Sequence, residues 1–368
     1  MADTINSGER AGRITQLDAL RGLAALVVVF HHARNMLSQS APPAYLLPIF
    51  SGRKSVTLFF VLSGYVLALP YWEGRQQGYA KYLVRRICRI YVPYVGALVL
   101  ALLVGDHLLY AHLALSKWFY YTWHTPFTAS LVLRQLIFAS SSGNLASINT
   151  AFWSLRYEME MSIVFPLICW VLLRTPLPIA LILTFGAECV GNGTILGRVD
   201  AWSPEVAKTL LWASAFIFGA LLSKHRQWIK SWYQRANLGT KLFLLGFVTI
   251  GYFQGGEETA LANIPAACGV IVFAEFCRAR RWLDTPFGEY LGKISYSLYL
   301  VHATFLFASF IFLYGKVPLV EVLAIYFVSS LGAAHLFWRL VEFPSMRLGK
   351  RLTRRKACSD APYETVGA

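Results

Sequence analysis

Charged side chains are scarce in this sequence. Asp, Glu, Lys and Arg make up 14% of its 368 residues, whereas 56% of the residues are hydrophobic and 15% are aromatic. Soluble globular domains carry a charge on about a quarter of their residues. The shortage excludes an ordinary soluble domain, and apolar runs of about 20 residues recur along the chain, as membrane helices require. We therefore predict an all-α, polytopic membrane protein.

Acidic residues are fewer than basic ones. The sequence holds 19 Asp and Glu against 34 Lys and Arg, which gives a formal net charge of +15. A nucleic-acid-binding face needs basic residues clustered on a soluble surface. Here the basic residues lie between apolar runs, as they do in cytoplasmic loops beside an anionic membrane leaflet. We therefore expect membrane lipids as partners and do not expect nucleic acid.

Spacings typical of metal and cofactor sites are also missing. The six cysteines contain no CxxC pair, and the eight histidines contain no HxxxH or HExxH arrangement. No P-loop, GxGxxG or GxSxG pattern occurs in a usable context. We therefore expect neither a metal site nor a permanently bound cofactor.

The apolar runs predict about ten transmembrane helices. If the N-terminus is cytosolic, 25 of the 34 basic residues fall in segments on the cytosolic side. The positive-inside rule then predicts an inner (plasma) membrane protein with both termini in the cytosol. We predict a cytosolic tail over residues 1–16, a membrane domain over 17–341 and a basic cytosolic tail over 342–368. The predicted spans cover residues 17–37, 54–71, 90–110, 151–173, 178–194, 208–223, 241–254, 261–277, 291–313 and 319–341.

The first predicted span carries an arginine near its start and two histidines near its end. Ten residues separate Arg21 from His32. Eleven helical steps of about 100° and 1.5 Å return to nearly the same face, roughly 16 Å further along the axis. His31 lies about 80° away from that line by the same geometry. The spacing therefore favours His32 over His31 as the histidine that works with Arg21.

Two other ionisable residues lie inside predicted spans at a depth similar to that of His32. Glu158 is in the fourth span and His302 is in the ninth. Ionisable groups inside a membrane are costly, which makes them functional candidates by default. We expect the three side chains to share a cavity in the middle to outer half of the membrane. A structural ion pair of Glu158 with Arg156, and a hydrogen-bonded helix contact of His302, are the alternatives.

Three arginines stand at the cytosolic start of the third span. Arg89 follows Arg86 by three residues and Arg85 by four. On a regular helix these spacings place the three guanidinium groups on neighbouring strips of one face, where they could bind an anion with several oxygens. A plain positive-inside anchor is the alternative.

Five stretches resemble, in the same order, motifs of the acyltransferase-3 family of integral-membrane O-acyltransferases. The resemblance extends from residue 17 to about residue 347. The five stretches are Arg21 and His32 with ten residues between them, LFFVLSG at 58–64, Arg-x-x-Arg at 86–89, Trp-Ser-Leu-x-x-Glu at 153–158 and ISYSLYLVH at 294–302.

The resemblance implies transfer of an acyl group, most often acetyl, from cytosolic acyl-coenzyme A to a hydroxyl of a carbohydrate or glycolipid. In this interpretation His32 deprotonates the acceptor hydroxyl. Glu158 orients His32, and His302 holds the acceptor or donates a hydrogen bond to the developing oxyanion. The residues expected to bind the phosphates of coenzyme A are Arg21, Arg85, Arg86 and Arg89.

Two other classes of membrane protein could place polar residues inside the membrane. A transporter is expected to show an inverted repeat, or helices broken by Gly or Pro in matching halves, and the sequence shows neither. A non-catalytic scaffold would not need His32, Glu158 and His302 at similar depths. The sequence therefore favours an acyltransferase and leaves a transporter of a small molecule or glycolipid as the alternative.

Overall fold

The fold is known from a computed structural model. It describes residues 14–37, 51–105, 108, 113, 115–123, 126–139, 145–195, 197, 203–254, 260–277 and 283–354. Within these ranges the regular structure is helical, apart from one isolated bridge between Tyr314 and Val317. The predicted all-α class is therefore confirmed. Of the two predicted tails, residues 1–13 and 355–368 lie outside the described residues.

The helices of the described residues are numbered in chain order. They are α1 (Thr15–Leu37), α2 (Gly52–Trp72), α3 (Tyr79–Gly105), α4 (Ala129–Leu136), α5 (Trp153–Arg174), α6 (Leu177–Ile195), α7 (Pro204–Lys224), α8 (Arg226–Arg235), α9 (Leu238–Gln254), α10 (Ala260–Phe276), α11 (Pro286–Leu313) and α12 (Leu319–Leu352).

Among the described residues, six helices are long and apolar enough to cross a membrane, namely α2, α3, α6, α7, α11 and α12. Shorter apolar helices lie within α9 and α10. Helices α1 and α5 are not among the six, and both carry several charged side chains, including Arg21 in α1 and Glu158 in α5. A multi-pass membrane fold is confirmed, whereas the number of ten spans stays a prediction.

Local sequence fixes where the central helices begin. The Ser51 hydroxyl accepts a hydrogen bond from the Lys54 amide at 3.4 Å, which caps α2. The Thr285 hydroxyl accepts one from the Gly288 amide at 3.0 Å, and Pro286 occupies the first turn of α11. These are the residue types preferred at helix N-termini. They set the starts of the two helices that pack on the site.

Glycine allows the closest helix crossings. A Cβ added to Gly22 of α1 would lie 2.7 Å from the backbone of Leu291 in α11. A Cβ on Gly64 of α2 would overlap the backbone carbonyl of Phe216 in α7. Small residues let membrane helices approach closely, and these two pairs pack most extensively. Helix α1 is thereby held against α11, which carries His302.

Candidate active site

Helices α1 and α11 bring two buried histidines together. The Nδ1 atom of His32 lies 2.8 Å from the Nε2 atom of His302. Their rings are stacked, with centroids 5.0 Å apart and planes inclined by 18°. These are two of the three ionisable residues that the sequence placed at similar depth. We refer to His32 and His302 as the histidine pair.

Hydrogen-bond partners assign the tautomer of each ring. The Nδ1 atom of His302 lies 3.0 Å from the backbone carbonyl of Leu298. A carbonyl can only accept, so this nitrogen carries the proton and, in the neutral ring, Nε2 has the lone pair. The Nε2 atom of His302 then accepts a hydrogen bond from Nδ1–H of His32. The lone pair of His32 is thereby placed on its Nε2 atom, which becomes the proton acceptor of the site.

Aromatic side chains cover the histidine pair near the C-terminal end of α1. The ring of Trp118 is centred 5.2 Å from the ring of His32 and 5.7 Å from that of Phe307 in α11. The segment that carries Trp118 is fixed to the end of α1, where the Ser116 amide donates to the Met36 carbonyl at 3.3 Å. An apolar cover excludes water, which strengthens hydrogen bonds and charges beneath it.

Two hydroxyl groups beside the pair were not singled out in the sequence. The Tyr299 hydroxyl lies 2.7 Å from the Ser154 hydroxyl, and both side chains are buried. The Tyr299 ring is centred 6.1 Å from that of His302. Tyr299 precedes His302 by three residues, a spacing that puts both on one helix face. That spacing within ISYSLYLVH was the signal that could have identified Tyr299.

The structure places Glu158 against an arginine. Its Oε1 atom lies 3.5 Å from Nη2 of Arg86. Arg86 also donates to the Ser162 hydroxyl at 3.0 Å from Nε and 2.9 Å from Nη2. The described hydrogen bonds and ion pair of Glu158 do not include His32. Among the described contacts, His32 has its hydrogen bond with His302, and the role predicted for Glu158 stays a prediction.

Three of the four predicted donor-binding arginines are on α3, and they point to different neighbours. Arg85 donates from Nε to the Thr353 hydroxyl at 2.7 Å, beyond the end of α12. Arg86 points to α5, whereas Nη1 of Arg89 lies 3.8 Å from Glu342 in α12. The residues 87–91 form a π-helical turn, which changes the angular spacing that a regular helix would give. The prediction that all three share one face assumed a regular helix.

Glu342 faces the same region from a second π-helical turn, formed by residues 338–342 of α12. It is almost fully buried, and its Oε2 atom accepts a hydrogen bond from the Ser297 hydroxyl at 2.6 Å. Arg21 and Arg89 both lie close enough to interact with its charge. Tyr296 is similarly close to the charges of Arg86, Arg89, Glu158 and Glu342. We call the set Arg21, Arg86, Arg89, Glu158 and Glu342 the inner cluster.

The inner cluster lies on the predicted cytosolic side of the histidine pair. Ser297, which bonds Glu342, precedes His302 by five residues, or roughly 8 Å along α11. On α1, Arg21 precedes His32 by eleven residues, and its Nη1 atom lies 3.2 Å from Asp18. The arrangement separates the arginines from a buried proton acceptor, and Tyr299 lies between Ser297 and His302 along α11. This suits a reaction whose anionic substrate enters from one side and whose alcohol enters from the other.

No group of three or more His, Cys, Asp or Glu side chains suited to hold a metal ion occurs in the described part of the chain. In the histidine pair, Nδ1 of His32 and Nε2 of His302 share a hydrogen bond, and Nδ1 of His302 donates to a backbone carbonyl. The chemistry available from these residues is proton transfer.

Comparison with known proteins gives one family and one partial relative. Residues 14–339 match the model of a family described as an acyltransferase domain. A protein of Rhizobium radiobacter named "Protein 2 in picA locus" is 37% identical over 91 residues, which are 24% of this chain and 44% of that protein. The aligned region thus spans less than half of that relative. No solved structure matches the chain.

Proposed function

The chain belongs to the acyltransferase-3 family, and from this premise we propose that it is a membrane O-acyltransferase. It moves an acyl group, most simply acetyl, from cytosolic acyl-coenzyme A to a hydroxyl of a carbohydrate or glycolipid. The matched residues 14–339 contain the histidine pair and four of the five members of the inner cluster, all but Glu342.

One observation carries the proposal, namely the hydrogen bond of 2.8 Å between His32 and His302. It continues to the Leu298 carbonyl and leaves the lone pair of His32 on Nε2. General bases work when a second group fixes their orientation and tautomer. His302 supplies that second group here, so it is a positioning residue and His32 is the base.

The proposed reaction uses this geometry. The Nε2 atom of His32 takes the proton of the acceptor hydroxyl as its oxygen attacks the thioester carbonyl. The positive charge formed on His32 is stabilised by the hydrogen bond from its Nδ1–H to His302. The tetrahedral intermediate then expels the thiolate of coenzyme A, which takes the proton back from Nε2. An ester and the free thiol of coenzyme A result.

The inner cluster is the proposed site for the phosphates of the donor. Arginine binds phosphate oxygens through paired N–H groups, and carboxylates beside it hold the guanidinium in position. Arg86 and Arg89 reach this cluster from α3, and Arg21 reaches it from α1. Arg85 is held at Thr353, so we place it at the rim of the donor entrance. The pantetheine arm would extend along α1 and α11 to the histidine pair.

The membrane arrangement belongs to the same proposal. We infer ten spans within residues 17–341, with both termini in the cytosol of the inner membrane. The distribution of basic residues supports this orientation. It places α1 with Arg21 near the cytosol and His32 near the outer side, as delivery of the acyl group to an extracytoplasmic acceptor requires. Acyl-coenzyme A is then a substrate, and no permanently bound cofactor is needed.

Labelled acetyl-coenzyme A tests the proposal. Membranes containing the wild-type chain should transfer label to an extractable glycan or lipid, in a bond that mild base cleaves. His32→Ala should abolish transfer while the protein remains inserted and folded. His31→Ala should retain it, because the His31 ring packs against Gly52 and its described hydrogen bond is to Asn35. Full transfer by His32→Ala would reject the base, and label that crosses the membrane without forming an ester would support a transporter.

A further inference from the structure

Helix α6 buries a stripe of small and polar side chains. The opposite side of the helix is apolar and exposed, with Ile182 at 70% and Leu183 at 65%, as expected for contact with lipid. The buried residues of α6 are Ala180, Thr184, Glu188, Gly191 and Asn192. Small residues let the helix pack closely on α7 and α10. Close packing does not require a glutamate or an asparagine, so these two side chains need another explanation.

Glu188 is fully buried without a partner for its carboxyl group. Neither of its oxygens has a hydrogen bond among the described residues, and the ion pairs in this part of the chain do not include it. An ionised carboxylate in an apolar environment is costly unless a positive charge lies beside it. Protonation would remove the charge, but the O–H group of the acid would still lack an acceptor. A bound cation would satisfy both the charge and the oxygens.

One turn further along α6, Asn192 presents another unsatisfied oxygen. Its side chain is 2% exposed, and its Oδ1 atom has no hydrogen-bond partner among the residues that the structure describes. Asn192 follows Glu188 by four residues, so the two side chains are neighbours on one face of the helix. Carboxylate and amide oxygens are the ligands that hard cations prefer in proteins. The two side chains together supply three such oxygen atoms.

Helices α7 and α10 adjoin this face of α6. Gly191 lies between the two polar residues in sequence, and a Cβ added to it would be 2.8 Å from the carbonyl oxygen of Ala207 in α7. That oxygen can serve as a further ligand, because a carbonyl that accepts one hydrogen bond keeps a second lone pair. From α10, the Cys268 thiol lies close enough to interact with the charge of Glu188. Oxygen atoms from two helices are therefore available at one buried place.

We propose that Glu188 and Asn192, with the Ala207 carbonyl, bind a monovalent alkali cation between α6, α7 and α10. The charge of the ion follows from the site. Glu188 is the single acidic residue of α6, so it balances one positive charge, and a second would remain uncompensated in an apolar environment. The site uses neither the histidine pair nor the inner cluster, so it goes beyond the proposed function and does not depend on it.

Binding of Na⁺ to the purified full chain in detergent tests the site directly. Equilibrium dialysis with radioactive Na⁺, in a background of choline chloride, should show saturable binding of one ion per chain. Glu188→Gln keeps the shape of the side chain and removes its charge, so it should weaken binding by about tenfold or more, equivalent to about 1.4 kcal/mol. Asn192→Leu removes one ligand oxygen at similar volume and should weaken binding less, because the charge of Glu188 remains.

Glu321→Gln is the matched control. Glu321 is an exposed acidic residue in the first turn of α12, so the same substitution there should leave Na⁺ binding unchanged. Saturable binding that persists in Glu188→Gln, or that Glu321→Gln weakens equally, would overturn the assignment. So would the absence of saturable binding in the wild type, because Glu188 would then be a protonated structural residue.

Thermal unfolding gives a second readout, which does not require acyl transfer. A ligand that binds only the folded chain raises its Tm. The wild type should therefore unfold at a higher temperature in NaCl than in choline chloride of the same ionic strength, whereas Glu188→Gln should unfold at one temperature in both salts. Because the two salts are compared within each variant, a general loss of stability does not imitate this result. If Glu188→Gln does not fold, a reduced response to NaCl in Asn192→Leu decides in its place, and an undiminished response in either variant would reject the site.

Discussion

The histidine pair and the inner cluster are both polar regions among apolar helices. They differ in charge and in exposure to solvent. The histidine pair joins α1 to α11 through neutral rings, and its hydrogen bonds end on a backbone carbonyl. In the inner cluster, ion pairs join α3 to α5 and to α12, Arg21 pairs with Asp18 within α1, and Arg89 is 36% exposed. One region is closed and neutral, and the other is charged and reaches solvent.

The difference is consistent with the roles that we propose for the two regions. A proton acceptor needs one fixed tautomer and a dry surrounding, because water would compete for its lone pair. An anion site needs guanidinium groups that a substrate can reach. Carboxylates such as Glu158 and Glu342 pair with these guanidinium groups while no substrate is bound. Two π-helical turns occur at the charged region, and such turns are frequent at functional sites. The comparison predicts that kcat depends on one region and donor affinity on the other.

The largest effect is expected at the histidine pair. His32→Ala should lower kcat by about 10²–10⁴-fold, the range that a general base contributes. His302→Ala should lower kcat by roughly 10- to 100-fold with little change in the KM of either substrate, because it fixes the orientation of His32. Steady-state kinetics with acetyl-coenzyme A would measure both.

The double variant of His32 and His302 tests whether the two rings act as one unit. If the two rings act as one unit, His32→Ala with His302→Ala should be no slower than His32→Ala alone. Multiplicative losses would show that His302 acts independently, for instance on the acceptor. His302→Gln, which can offer a hydrogen-bonding oxygen to Nδ1–H of His32, should recover part of the rate lost in His302→Ala.

A smaller effect is expected at the inner cluster. Arg86→Ala should raise the KM for acetyl-coenzyme A by about tenfold, since a hydrogen bond to a charged group contributes roughly 1.5–3 kcal/mol. Its kcat should change little. Arg85→Ala should raise this KM less, because Arg85 is held at Thr353. Arg351→Ala, an exposed arginine at the same end of the molecule, is the control. A loss confined to kcat in Arg86→Ala would contradict the division of roles.

The sequence was sufficient to predict helices α1 and α11 and to place His32 and His302 at similar depths within them. Long apolar runs determine membrane helices, and helices α1 and α11 lie where spans were expected. The depth of His32 and His302 could be counted from the ends of those runs. That they touch depends on the rotation of two helices about their axes, which the glycine crossing at Gly22 fixes and which no single span reveals.

The sequence was insufficient where helices depart from regular geometry. The grouping of Arg85, Arg86 and Arg89 assumed about 100° per residue, and the π-helical turn at 87–91 breaks that rule. The partner of Glu158 depends on which face of α5 meets α3, so several partners were open and the structure selects Arg86. Tyr299 was overlooked because a tyrosine is common near membrane interfaces and carries no charge.

The smallest effect is expected at Glu158. The variant Glu158→Gln separates two interpretations, in which Glu158 either orients His32 or pairs with Arg86 on the donor side. Its carboxylate is 21% exposed and pairs with Arg86 at 3.5 Å. An ion pair of that kind contributes about 1 kcal/mol or less. Glu158→Gln keeps the shape and removes the charge, so Arg86 becomes more available to phosphate. The KM for acetyl-coenzyme A should fall by about threefold, and kcat should stay within about twofold.

Glu160→Gln is the matched control, because Glu160 lies on the same helix and pairs with Arg156 at 2.7 Å instead. It should change neither constant. If Glu158 oriented His32, as the sequence suggested, Glu158→Gln would instead lower kcat by an order of magnitude or more at unchanged KM. A fall in KM with kcat preserved would therefore assign Glu158 to the donor side and leave His302 as the group that orients the base.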